Sequence, residues 1–254
     1  MSAELNRRFG TQKKIALIGE MSYSWISAYY GIITGGNISV PLDIKLSPEE
    51  LTERLNFADV TVVFLSACFS ALEEMILSQC EKIAVVLRLE DYPGGLSEER
   101  SSSFPTTDPD ALASLMFTSG TSGDGLKAAM ITQRGILADV TGPVPLCVPG
   151  DKLLSLLPIH HCFEIFVGQM KYLYLGATIC ISDSMANLMP NLTRFGITIV
   201  VAVPALANML AAFIAQGLHN HKSLRKDWYW DEKYILPRII DISVHRSAGS
   251  GRDG

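Results

Sequence analysis

At 254 residues the chain is long enough to bury a sizeable core, in one large domain or two small ones. Its 48% hydrophobic and 19% charged composition argues against extended disorder, and a formal net charge of -5 leaves no basic footprint for nucleic acid. The five cysteines (Cys68, Cys80, Cys147, Cys162, Cys180) are odd in number and form no C-x-x-C pair, which disfavours a disulfide framework or zinc knuckle and fits a reducing, cytoplasmic setting.

The N-terminal residues carry no apolar run after their charges, so a secretory signal is not expected. Strand and helix patterns then alternate: a strand over 14–19, a helix over 23–33 ending at Gly35-Gly36, and a short strand over 38–42 leading into Asp43. Ser47-Pro48-Glu49-Glu50 has the form of a helix start, with a capping serine, proline at the first helical position and glutamate where a capping box needs it. Strands over 60–65 and 83–87 flank a helix over 71–79. Residues 91–110, rich in Pro, Gly, Ser and charge, read as a linker.

The alternation resumes with a strand over 113–117, a Gly/Ser/Thr loop and a helix from about residue 132. Strands over 153–157 and 177–181 alternate with helices over 163–173 and 186–195. Residues 195–216 contain no charged side chain and are long enough to raise the question of a membrane span. The β-branched run 197–203 followed by Pro204 divides the stretch into a buried strand and a helix instead. From His219 onward no period is visible. The chain therefore reads as α/β, with layered, largely parallel sheets flanked by helices over 1–218 and an irregular tail over 219–254.

The segment with the most chemistry is Thr118-Ser119-Gly120-Thr121-Ser122-Gly123-Asp124-Gly125-Leu126-Lys127. Glycines let backbone N–H groups approach an oxyanion, hydroxyls add donors and a lysine supplies a compact positive charge. A helix start beyond the loop would add to the attraction for anions. The physics points to a polyphosphate. A Walker loop is excluded because Leu126 stands at its lysine position, and neither G-x-G-x-x-G nor G-x-S-x-G is present here. Asp124 fits an exposed turn residue better than a magnesium ligand.

Residues 118–123, followed by Lys127 and Ala129-Met130-Ile131-Thr132, resemble the phosphate-loop signature of the adenylate-forming superfamily, and the chain as a whole is most similar to bacterial long-chain acyl-CoA synthetases, whose likeness is carried by residues 157–164. The usual form is Thr-Ser-Gly-Thr-Thr-Gly, one residue, then Pro-Lys-Gly. Val40-Pro41-Leu42-Asp43, Ser47-Pro48-Glu49-Glu50-Leu51 and Leu157-Pro158-Ile159-His160-His161-Cys162-Phe163-Glu164 resemble further family segments in the same order. The chain departs in having three residues between Gly123 and Lys127, and in Leu126, Ala128 and Gln133 where proline, glycine and histidine are usual.

The resemblance implies an acid–thiol ligase that uses ATP, Mg2+ and coenzyme A to activate a carboxylic acid, a fatty acid in particular, as acyl-adenylate. It implies that Thr118, Ser119, Gly120, Thr121, Ser122, Gly123 and Lys127 hold the ATP phosphates. His161, beside His160 and Glu164, borders the acyl pocket by the same resemblance. A structural histidine and a metal ligand are its other readings, the latter lacking a third ligand. The Tyr-Gly-x-Thr-Glu segment that serves adenine and magnesium does not occur, so the expectation is a chain truncated at both ends and inactive alone. The alternative is a non-catalytic module that keeps the fold and its pyrophosphate loop. No nucleic-acid partner and no transmembrane segment are expected, while peripheral membrane contact stays open.

Overall fold

The computed structural model describes residues 1–92, 106–118, 125–143, 147–182, 184–210, 212 and 238–241. The chain divides into two compact units, Met1–Thr141 with Pro158–Phe166, and Gly142–Leu157 with Val167–Gly254.

The first unit is built on six strands: β1 (Lys14–Ile18), β2 (Ile38–Pro41), β3 (Val62–Leu65), β4 (Val85–Arg88), β5 (Leu112–Phe117) and β6 (Ala128–Thr132). Their order in the sheet is β4-β3-β1-β2-β5-β6, parallel throughout except for the antiparallel β5–β6 pair. Parallel strands covered on both faces need continuous apolar sequence, which Ile15, Ala16, Leu17 and Ile18 supply, all buried. The register pairs Ala16 with Val40 and Val63. These residues join Ile18, Ile38, Leu42 and Leu65 in a core closed by Leu51 and Leu55 of α3 (Pro48–Phe57) and Ile76 of α4 (Glu73–Gln79).

The alternate residues bear the opposite layer. There α2 (Tyr23–Thr34) contributes Trp25, Ala28, Tyr29 and Ile32, all buried. Trp25 stacks on Tyr29 with ring centroids 5.7 Å apart. A short α1 (Ser2–Phe9), absent from the sequence reading, adjoins α2. It was missed because only Leu5 of its residues is buried, so the apolar stripe is too thin to register. Asn6 Nδ2 donates to the Gly35 carbonyl at 2.8 Å, and Asn6 Oδ1 accepts from Asn37 Nδ2 at 2.9 Å, which ties α1 to the α2–β2 turn.

The capping box at α3 forms as the sequence requires. Glu50 N–H donates to Ser47 Oγ at 3.2 Å, and Ser47 N–H donates to Glu50 Oε2 at 2.8 Å. Ser47→Ala is expected to cost about 1 kcal/mol. The loss would be read as faster amide exchange confined to the first turn of α3.

The second unit holds β7 (Lys152–Ser155), β8 (Thr178–Ile181), β9 (Ile199–Ala202) and β10 (Arg238–Asp241), ordered β10-β9-β7-β8 and all parallel. The expected strand over 197–203 is β9, all four of whose residues are buried, and Pro204 opens a helix over 204–210. Among the described residues no helix is long and apolar enough to cross a membrane. β10 lies within a stretch read as irregular. Its four residues are too few to show a period, and pairing with β9 rather than local pattern makes it a strand. The helix expected over 163–173 begins as a π-helix at Phe163–Met170 and continues as α6 (Lys171–Tyr174). Six of its first eight residues are buried, so it lacks the solvent-facing stripe of a surface helix.

Candidate functional site

The Gly/Ser/Thr segment is the connection between two antiparallel strands. Thr118 N–H donates to the Lys127 carbonyl at 3.2 Å, continuing the β5–β6 ladder by one step past the Phe117–Ala128 pair. The ladder fixes both ends of the loop, so Thr118 and Lys127 stand at its neck. Ser119, Gly120, Thr121, Ser122, Gly123 and Asp124 lie outside the described residues. Lys127 is exposed, and Gly125 takes a φ of 77°, a conformation glycine adopts without cost.

The helix expected from about residue 132 is α5 (Gln133–Thr141), but the stretch between the loop and that helix, left unassigned in the sequence, forms the strand β6. The five residues of β6 span about 16 Å at ~3.3 Å each, so the α5 N-terminus cannot serve an anion held at the loop. Binding there would rest on the loop's own amides, hydroxyls and lysine. The edge strand was missed because 128–132 is half-buried without a clean alternation.

The parallel pairing of Ser39 with Ser114 fixes β2 against β5. Both strands then leave the sheet at the same end, β2 into Asp43 and β5 into Thr118. Asp43 Oδ1 accepts the Lys45 N–H at 3.0 Å, and Asp43 Oδ2 lies 3.6 Å from His160 Nε2. His160 and His161 rings approach with centroids 4.3 Å apart, tilted by 45°. Burial pushes the His160 imidazole below the ordinary histidine value. Asp43 pulls the opposite way, and His161 and Lys45 add to the downward push.

His161 is exposed and Glu164 buried, so the two do not share a face as a metal pair would. The His161 carbonyl accepts the Glu164 and Ile165 N–H groups at 3.1 and 3.2 Å, which starts the following helix through the backbone and leaves the imidazole uncommitted to that task. Among the described residues no group of three or more His, Cys, Asp or Glu is placed to hold a metal ion. The Asp43–His160 contact was not foreseen, because the two residues belong to separate motifs and only the folded sheet brings them together. An open hollow of about 670 Å3 lies elsewhere, over Ser70, Ala71, Glu73, Glu74, Leu77 and Ser78. Its two glutamates make it a poor match for a polyphosphate.

The family described as AMP-binding enzyme matches residues 2–240. The long-chain-fatty-acid–CoA ligase 6 of Mus musculus is 25% identical over 97% of this chain and 38% of its own length. An uncharacterized acyl-CoA ligase of Bacillus subtilis is 27% identical over 78% of this chain and 40% of its own. The chain thus spans about two-fifths of the curated relatives it matches. Among solved structures, the N-terminal domain of FACL13 from Mycobacterium tuberculosis matches with a TM-score of 0.70 at 19% identity, over 82% of this chain and 54% of that one. ATP-bound MatB from Rhodopseudomonas palustris matches with a TM-score of 0.70 at 21% identity, over 82% and 43%. These similarities establish a shared fold.

Proposed function

The chain belongs to the AMP-binding enzyme family, and on that premise we propose that its hairpin loop 118–127 binds the phosphates of ATP for the activation of a fatty acid as acyl-adenylate. The observation that carries this reading is the closure of the loop by the Thr118–Lys127 backbone bond, at the strand end that also bears Asp43. From Thr118 to Lys127 the sequence carries three glycines, four hydroxyl side chains and a lysine. In this reading Thr118, Ser119, Gly120, Thr121, Ser122 and Gly123 donate to phosphate oxygens and Lys127 balances their charge. His161 forms part of the wall around the acid.

The reaction is attack of a carboxylate oxygen on the α-phosphorus, with the bond to pyrophosphate breaking. Negative charge grows on the leaving group, so donors fixed beforehand at the loop would stabilise the transition state more than the bound nucleotide. Coenzyme A would then take the acyl group through its thiol, releasing AMP. Mg2+ would enter with the nucleotide, and no described residue is assigned to it. The five cysteines, all free, support a reducing compartment such as the cytoplasm.

ATP binding, with fatty-acid-dependent exchange of labelled pyrophosphate into ATP measured beside it, tests the reading. Binding of ATP to the native chain, weakened about 10- to 100-fold by Lys127→Ala, is the expected result, equivalent to about 1.4–2.8 kcal/mol of lost stabilisation, and fatty-acid-dependent exchange would overturn the expectation that the chain is inactive alone.

A further inference from the structure

Asp43 follows β2 immediately, and its carboxylate is divided between two tasks. Oδ1 accepts the Lys45 N–H at 3.0 Å and so fixes the turn that leads toward α3. Oδ2 is left to face His160 Nε2 at 3.6 Å, within ion-pair range but beyond a good hydrogen bond. The His160 side chain is 17% exposed and that of Asp43 32%, so water screens the pair only in part. His160 also packs against the His161 ring, 4.3 Å away between centroids. Carboxylate touches imidazole and that imidazole touches a second, the first anchored by backbone and the last exposed.

We propose that Asp43 is a positioning residue that holds the His160 ring and, through it, sets the orientation of His161 at the C-terminal edge of the sheet. The consequence for the acid substrate rests on the reading of His161 given above. The contacts themselves rest on the geometry alone. His160 senses three charged or titratable neighbours: Asp43 and Lys45 from the turn after β2, and His161 from its own segment. Only Asp43 favours the protonated ring, while burial, His161 and Lys45 oppose it. The balance holds the His160 imidazole below the ordinary histidine value. Acidification charges it and draws it onto Asp43, moving the ring against which His161 packs.

Histidine ring proton shifts recorded against pH decide the matter, with His160 and His161 assigned from His160→Gln and His161→Gln. In Asp43→Asn the amide oxygen still accepts from Lys45 N–H, so the turn persists. The His160 titration midpoint is expected to move down, because its one favourable charge is gone, and the His161 ring signals are expected to shift with it. Asp43→Glu should restore part of both changes. His160→Gln should displace the His161 signals even with Asp43 intact. An unmoved His160 midpoint in Asp43→Asn, or His161 signals indifferent to both substitutions, would overturn the proposal.

With dodecanoate as probe, calorimetry should show about tenfold weaker binding in Asp43→Asn. Native protein that ignores dodecanoate, yet shows the expected shifts, would contradict the acyl reading while upholding the positioning of His160 and His161 by Asp43.

Discussion

Trp25→Ala is expected to destabilise the first unit by about 3–5 kcal/mol, the range for deleting a buried large aromatic side chain. Trp25 is 1% exposed, stacks on Tyr29 and sits 3.5 Å from where a Cβ at Gly19 would lie. Removing the ring opens a cavity between α2 and the end of β1. The rigid strands beneath cannot collapse to fill it, because their register is fixed on both sides by β2 and β3. Trp25→Phe should cost much less. It keeps most of the volume and removes an indole N–H that is buried without a protein acceptor. Two compact units need not unfold together, so a global melting curve is the wrong probe. Amide exchange of peptides covering β1 and β2 should accelerate in Trp25→Ala, while peptides covering β7 and β9 remain unchanged.

Asp151→Ala is the counterpart in the second unit, with an expected loss of about 2–4 kcal/mol. Asp151 is 5% exposed. Its Oδ2 accepts the Val148 N–H at 2.8 Å, and its Oδ1 accepts the Thr198 hydroxyl at 2.8 Å. Thr198 Oγ1 in turn accepts the Lys152 N–H at 2.9 Å, so one carboxylate joins the entry of β7 to that of β9. Alanine leaves both donors without that partner at the place where the two strands begin. Exchange of β7 and β9 peptides should accelerate and that of β1 and β2 should not. Asp151→Asn, which keeps one acceptor oxygen, should fall between the native chain and the alanine variant.

These two residues differ in how far the sequence announces them. Trp25 stands in an amphipathic helix between a strand and Gly35-Gly36, and its burial follows from period and punctuation alone. The strands of the first sheet were legible for a related reason. Buried parallel strands are continuous apolar runs bounded by breakers, and β1 and β3 take that form. Asp151 gives no such sign, since an aspartate after Pro149-Gly150 reads as an ordinary turn residue until Thr198 is brought to it.

The site divides the same way. Glycine, hydroxyl and lysine in one short stretch point to phosphate chemistry without any fold, and the family signature sharpens that inference. The strand after the loop was hidden, because β6 is an edge strand whose half-buried residues lack the alternation of a two-sided one. Its presence alters the proposed physical account, which now rests on donors within a hairpin loop rather than on a helix N-terminus. The Asp43–His160 contact was hidden for a different reason. Each residue lies in a recognisable segment, but the pairing depends on where β2 ends in the sheet, which no local pattern encodes.

Titrating MgATP into the native chain by calorimetry, alongside Lys127→Ala, tests most directly whether the hairpin loop grips a nucleotide's phosphates. One saturable site, weakened about tenfold or more in the variant, is the predicted result. Equal affinity in the two proteins, or no saturable heat up to millimolar nucleotide, would contradict it.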